Sequence, residues 1–324
     1  MKKIIYFGVG ENLKNLPQIK CDYFVDNNAK IQGSMFEGKE VMSPDVLLTE
    51  DKENIEIIII SSAYNDISMQ LTEMGFKDQV HFFDAFQYFE LKKVREIKGM
   101  HFDVEDEFLE IYKKCKNYTM TTWERMYSLY QAVKYVVNRN IEGDFVECGV
   151  WRGGSSMVIA MTLLKLGVDN RKIILYDTFK GMSEPTEDDI DMYNNEAMPV
   201  WSNQATSDYN KWCYASLEDV HYNMSLTQYN MNNVSFVEGM VEDTIPRTNP
   251  NKIAILRLDT DWYESTYHEM NHLFPIVSNL GVLIIDDYGH WQGARKAINQ
   301  YFEENKYFYM LQKIDETGRV MIKA

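Results

Sequence analysis

Leu258-Asp259-Thr260-Asp261-Trp262-Tyr263-Glu264-Ser265-Thr266 ends the apolar run from Ile253 to Leu258, and Ile284-Ile285-Asp286-Asp287-Tyr288-Gly289-His290 ends a second run that begins at Gly281. Each run reads as a buried strand that stops at carboxylates. In open α/β sheets, ligands bind just beyond the carboxyl ends of the strands. Two neighbouring strands tipped with Asp261, Asp286 and Asp287 would bring three oxygen ligands to one point. Like charges crowded at a buried edge repel unless something neutralises them. A hard divalent cation such as Mg²⁺ does so and keeps positions open for substrate oxygens. Either pair alone also suits strand-end turns or helix caps; the two together favour a cation.

Upstream, Gly143-Asp144-Phe145-Val146-Glu147-Cys148-Gly149-Val150-Trp151-Arg152-Gly153-Gly154-Ser155-Ser156 reads as a strand, a glycine-rich turn and the start of an apolar helix running from Met157 to Lys165. Glycines there let the backbone approach a ligand at a helix N-terminus. The next strand, Lys172 to Tyr176, ends at Asp177, where an acid is placed to hold a ribose hydroxyl pair. No GxxxxGK[ST] pattern or basic cluster accompanies the turn. A nucleoside cofactor without phosphates, such as S-adenosylmethionine, therefore fits better than a nucleotide. Its contact candidates are Glu147, Cys148, Gly149, Trp151, Gly153, Ser155 and Asp177. Beyond the strand Val234 to Val237, Gly239, Met240 and Asp243 stand where adenine contacts belong. The long segment from Ser183 to Asn233 suits a functional lid or helices of its own, and Ala215 to Tyr229 has helical spacing.

With these residues in place, the chain from about Gly143 to Glu304 resembles the macrocin O-methyltransferase family, metal-dependent enzymes that methylate sugar hydroxyls. The resemblance lies in Val146 to Gly154, Asp177-Thr178-Phe179-Lys180-Gly181-Met182, Cys213-Tyr214-Ala215-Ser216-Leu217-Glu218, Val237 to Pro246, Leu258 to Thr266 and Ile285 to Arg295. It implies a Rossmann-like, seven-stranded methyltransferase fold that binds S-adenosylmethionine at Glu147, Gly149 and Asp177. It also implies Mg²⁺ held by Asp261, Asp286 and Asp287, and a sugar or glycan acceptor carried by a nucleotide-sugar, a surface glycan or a natural-product glycoside.

A sugar hydroxyl is a poor nucleophile until its proton is taken. Asp261 is the first candidate for that base and His290 the alternative, although a histidine beside Trp291 also suits packing. Tyr263, Glu264 and Gln292 are candidate substrate contacts; a helix start at Glu264 and core packing of Tyr263 explain them equally. Paired strand-end aspartates also serve metal-assisted hydrolysis, but that reading leaves the glycine turn and Asp177 without a role. A binding module with a dead catalytic half has no reason to keep three clustered acids. A small phenolic acceptor is the alternative within methyl transfer.

The first 90 residues read as a smaller α/β, Rossmann-like domain. Strands are expected at 3–8, 21–25, 55–60 and 81–83, a helix start at Met42-Ser43-Pro44-Asp45, and a helix from Asn65 to Met74. Gly8-Val9-Gly10 followed by Asp26 has part of a dinucleotide fingerprint, with Leu13 in place of the third glycine; a tight βα turn explains it as well. Through Tyr6 to Gly10, Phe24-Val25-Asp26-Asn27, Gly33, Gly38 and Pro44, this part resembles small units of bacterial nucleotide-sugar and surface-glycan enzymes. Residues 91–118, with Lys92, Lys93 and the apolar positions Phe102, Phe108, Ile111 and Tyr112, suggest a helical linker before a domain at 119–324. Met126, Leu129, Tyr130, Val133 and Val137 continue the helical spacing. The aromatics from Tyr127 to Tyr135 suit core packing or a homo-oligomer interface.

Over 324 residues the net charge is −16, which argues against nucleic acid as a partner, since phosphate neutralisation needs basic patches. No apolar run approaches the roughly 20 residues of a membrane span. The apolar start at Ile4 is broken by Glu11, Asn12 and Lys14, so a first strand is expected rather than a signal peptide. Cys21, Cys115, Cys148 and Cys213 lack paired or metal-like spacing, which points to a reducing, cytoplasmic protein.

Overall fold

The computed structural model describes residues 2–9, 21–61, 63–78, 80–85, 88, 101 and 103–324. The readings placed on Gly10, Leu13, Lys92, Lys93 and Phe102 lie outside them. The chain forms two compact units, Met1–Val104 and Glu105–Ala324.

The first unit holds β1 (Lys3–Phe7), β2 (Tyr23–Val25), β3 (Met35–Phe36), β4 (Lys39–Met42), β5 (Ile55–Ile59), α1 (Tyr64–Glu73) and β6 (Phe82–Asp84). Its sheet runs β3-β4-β2-β1-β5-β6, parallel except for the β3–β4 hairpin. Along β5, Ile57 and Ile59 enter one apolar cluster while Ile58 enters another. Both faces are thus buried, as a continuous apolar strand requires. The hairpin escaped the sequence reading because Glu37-Gly38-Lys39-Glu40 is polar and its strands are very short. Asp26 braces the turn after β1, accepting from Val9 N and Asn28 N at 2.8 Å each. That is the tight-turn role.

The second unit begins with α2 (Asp106–Cys115) and α3 (Trp123–Asn138), then β7 (Asp144–Cys148), α4 (Gly154–Lys165), β8 (Ile173–Asp177), α5 (Met198–Gln204), α6 (Leu217–Ser225), β9 (Val234–Glu238) and α7 (Val241–Thr244). It ends with β10 (Ile253–Leu258), α8 (Tyr263–His272), β11 (Val277–Ile285), α9 (Gln292–Glu304), β12 (Gln312–Lys313) and β13 (Arg319–Ile322). The seven strands run β12-β13-β11-β10-β7-β8-β9; β9 to β11 are parallel, and β13 and β12 add antiparallel edges. The mixed α/β, Rossmann-like architecture is the expected one. Because the chain leaves β7 toward β8 and β9 and returns on the other side at β10, the order reverses between β7 and β10, where such sheets bind ligands.

Residues 105–118 belong to this unit and do not form a separate linker. Phe108, Leu109, Ile111, Tyr112 and Cys115 are buried, and Cys115 Sγ lies 3.7 Å from Met161 Sδ on α4. Tyr130 is fully buried in the core, and half-buried Tyr127 meets Phe108 edge-on at 4.9 Å. Among the described residues no helix is long and apolar enough to cross a membrane.

Candidate active site

The turn after β7 runs through left-handed backbone at Gly149 (φ 78°), Trp151 (φ 46°) and Gly153 (φ 89°), the N-cap of α4; the two glycines take it without strain, whereas Trp151 is held in it. A Cβ on Gly149 would overlap the carbonyl of Asp259, so glycine allows the ends of β7 and β10 to meet. Asp177, at the end of β8, ties this turn. It accepts from Val150 N at 2.6 Å, Trp151 N at 3.1 Å and Phe179 N at 2.7 Å. Its carboxylate thus ties the turn, and the residue also lines the space beside it.

Beneath the turn lies a buried charge network that the sequence reading missed. Arg257, fully buried in β10, donates to Glu147 Oε1 at 2.8 Å, Asp259 Oδ2 at 2.7 Å and Asp286 Oδ1 at 2.5 Å. The other Glu147 oxygen accepts from Ser156 Oγ at 2.5 Å. Asp286 is also paired with Arg125, which reaches Asp315 at 2.9 Å, and it accepts from Thr121 Oγ1 at 3.2 Å. An arginine inside Ile253-Ala254-Ile255-Leu256-Arg257-Leu258 was the available signal, because a buried cation needs counter-ions.

That network bears on the expected cation set of Asp261, Asp286 and Asp287. Asp286 is committed to two guanidinium groups, and the carboxylates that meet are Asp259, Asp261 and Asp287, with one oxygen from each within 4.8 Å of the others. Parallel pairing sets Leu258 beside Ile285, which brings the two strand ends level. Asp261 has a left-handed φ of 70°, which turns its carboxylate back toward Asp287. Burial, then the charges of Asp287 and Asp259, push the Asp261 carboxyl well above the usual range. Burial and the charges of Asp286 and Asp287 do the same to Asp259 against the opposing pull of Arg257, and burial and Asp286 raise Asp287. Three carboxylate oxygens this close, on acids whose pKa values are all raised, form a fitting donor set for a hard divalent cation.

These groups share a cavity of about 410 Å³ with Glu147, Gly149, Trp151, Ser155 and Asp177 on one side and Met182, Trp212, Cys213, His290 and Trp291 on another. Burial, then Asp261, push the Cys213 thiol up to about 12, so it is no nucleophile. A small adjoining hollow of about 60 Å³ is lined by Gly149, Asp177, Gly239, Met240, Glu242 and Thr260. Asp243 lines neither. It is exposed on α7, and the adjacent Glu242 takes the inward position. A larger hollow of about 1040 Å³ opens by the strand starts at Gly143, Asp144, Lys172 and Lys252. It has no clustered carboxylates and sits at the wrong strand ends for ligand binding.

Cys148 is fully buried, and its carbonyl accepts from Asp259 N at 2.8 Å. His290 lines the cavity with its ring edge-on to Trp291 at 4.9 Å. The three proposed substrate contacts lie outside the cavity lining. Tyr263 donates its hydroxyl to Gln300 Oε1 at 2.7 Å and its backbone N–H to Asp189 Oδ1 at 2.8 Å. Glu264 is exposed at the start of α8. Gln292 reaches Asp191 O at 3.1 Å and Asn194 Oδ1 at 3.2 Å. Tyr263 and Gln292 thus anchor the 183–215 excursion; helix N-termini offer free N–H groups for such anchoring.

A seven-stranded α/β sheet with a glycine turn and clustered acids at its switch point defines a methyltransferase of the S-adenosylmethionine-dependent class. Over residues 53–323 the chain matches the macrocin O-methyltransferase (TylF) family, and it belongs to that family. The match begins inside the first unit, earlier than the resemblance at Gly143. One relative is the 8-demethyl-8-(2,3-dimethoxy-alpha-L-rhamnosyl)-tetracenomycin-C 4'-O-methyltransferase of Streptomyces olivaceus, 32% identical over 201 residues, or 62% of this chain and 74% of that one. Another is the mycinamicin III 3''-O-methyltransferase of Micromonospora griseorubida, 29% identical over 208 residues, covering 62% and 76%. The solved structure of the O-methyltransferase NovP superposes with a TM-score of 0.57 at 29% identity, over 64% of this chain and 82% of that one.

Proposed function

We propose that this enzyme moves a methyl group from S-adenosylmethionine to a hydroxyl of a sugar, on a nucleotide-sugar or a glycoside, with a divalent cation, Mg²⁺ in the first instance, held by Asp259, Asp261 and Asp287. The observation that carries the reading is the meeting of those three carboxylates in the same cavity as the glycine turn. One relative whose printed name carries a rhamnosyl group supports the acceptor class. Four free cysteines, three of them buried, fit a reducing cytoplasm.

Each part of the chain has a distinct task. The β7–α4 turn at Gly149, Trp151 and Ser155 faces the cavity where the donor's methionine end would lie, and Gly239, Met240 and Glu242 flank the space for its adenine. Arg257 fixes Glu147 and Asp259 in one frame, so the donor side and the acceptor side keep a constant separation. Well-oriented reactants can gain roughly 7–11 kcal/mol, which makes that frame the largest contribution of the protein. A cation bound by the three aspartates would supply charge neutralisation and acidify a hydroxyl placed against it. Asp261 stands at the cavity as proton acceptor, with His290 as the alternative on the same wall.

Calorimetric titration with S-adenosylhomocysteine, with Mg²⁺ and after EDTA, tests the donor site. Turnover of a nucleotide-sugar panel tests the acceptor. Saturable donor binding that survives EDTA, together with Mg²⁺-dependent methylation, is expected. Asp259→Asn and Asp261→Asn should each lower turnover by at least about a hundredfold with donor affinity nearly unchanged. Full activity after EDTA would remove the cation from the proposal.

A further inference from the structure

Four indoles crowd the wall where the 183–215 excursion meets the catalytic strands. Trp201 and Trp262 spend their N–H groups on backbone, donating at 2.9 Å to Met182 O and Ser183 O. Trp212 and Trp291 line the cavity, and neither of their indole N–H groups has an acceptor among the described residues. Trp291 is only 7% exposed. An indole N–H at a cavity wall that no protein group accepts is open to an oxygen of whatever fills the cavity.

The wall is also rigid. Trp262 meets Trp291 edge-on at 4.9 Å and Trp212 edge-on at 5.6 Å. Trp212 is held by its own backbone, with its N–H donating to Asn210 Oδ1 at 2.9 Å and its carbonyl accepting from Met182 N at 3.0 Å. Trp262 directly follows Asp261, and Trp291 directly follows His290. Each indole is therefore registered to a group that faces the reacting hydroxyl.

We infer that Trp212 and Trp291 form the platform that holds the pyranose ring of the acceptor, an inference that rests on the sugar O-methyltransferase reading. A pyranose presents weakly positive C–H groups on one face and oxygens around its rim. Aromatic faces carry negative charge density that attracts such C–H groups, and two indole N–H donors match rim oxygens. A flat phenol offers one oxygen edge and would leave at least one donor unpaired.

The test is saturation-transfer NMR on the full chain loaded with S-adenosylhomocysteine, using methyl α-L-rhamnopyranoside as probe and catechol as a planar control. Transfer to the ring C–H protons of the pyranoside is expected, with little to catechol. Trp212→Ala should weaken pyranoside binding about tenfold, and Trp212→Phe and Trp291→Phe, which keep an aromatic face and lose a donor, about three- to tenfold. Calorimetric affinity for S-adenosylhomocysteine should be unchanged in the Phe variants, which separates lost contact from lost folding. No pyranoside transfer from a wild-type protein that binds S-adenosylhomocysteine would overturn the platform, as would equal binding by the three variants or equal preference for catechol. Failure of the wild type to bind S-adenosylhomocysteine would instead bring down the methyltransferase reading beneath it.

Discussion

Removing the Arg257 guanidinium is the most informative perturbation of this fold. Its nitrogens lie 2.5–2.8 Å from oxygens of Glu147, Asp259 and Asp286, and both Arg257 and Glu147 are almost wholly shielded from water. In Arg257→Met, Asp286 keeps Arg125 and Glu147 keeps Ser156, whereas Asp259 is left among carboxylates. Removing one partner of a buried pair costs about 3–5 kcal/mol. For a unit of this size, that amounts to a midpoint lower by about 6–20 °C. The stranded acids can escape by taking up protons. Burial already raises Glu147 and Asp259 against the pull of Arg257, and its loss raises them further. A raised folded-state pKa costs stability at higher pH, where the unfolded chain holds the group ionised. The deficit should therefore be larger near about pH 8 than near about pH 5. Scanning calorimetry of wild type, Arg257→Met, Glu147→Gln and the Arg257→Met/Glu147→Gln pair measures this, and the pair should lose less than the two single changes added together. A midpoint within about 2 °C of wild type at both pH values would refute the reasoning, since it would mean that the acids need no counter-ion.

Two further changes probe local geometry and pH. Gly149→Ala must accept a left-handed alanine, at about 1–2 kcal/mol, and must displace the Asp259 carbonyl, so donor affinity by calorimetry should fall at least about tenfold. Gly167→Ala is the control, because its left-handed glycine has open space around it and should leave donor affinity unchanged. Burial works against ionised Glu105, but hydrogen bonds from Lys134 and Tyr127 outweigh it and bring the carboxyl down to about 2. A depressed pKa gives stability that is present above the ordinary carboxylate range and lost as pH falls toward that value. With the side chain about a third exposed, the contribution is roughly 1 kcal/mol. Glu105→Gln should therefore unfold a few degrees early at neutral pH and match wild type near about pH 2 in thermal melts.

Sequence alone carried the fold class and most of its element order, because buried strands leave apolar runs and the turns at Gly149, Gly153 and Asp177 leave glycines and acids at strand ends. The strands missed, Met35–Phe36, Lys39–Met42, Gln312–Lys313 and Arg319–Ile322, are only two to four residues long, so their pairing comes from neighbours rather than from their own pattern. Sequence also put Asp261 and Asp287 together, since each lies within three residues of the end of an apolar strand. It chose Asp286 over Asp259 as the third ligand, although each directly follows an apolar strand and nothing local separates them. That choice falls to Arg257 and Arg125, which approach Asp286 from another strand and another helix and take its charge. In the same way, nothing local to Tyr263, Glu264 or Gln292 says that they face away from the cavity, or that Trp212, far away in a loop, faces into it. Periodicity reports which side of an element is buried; only the packed chain fixes what that side is buried against.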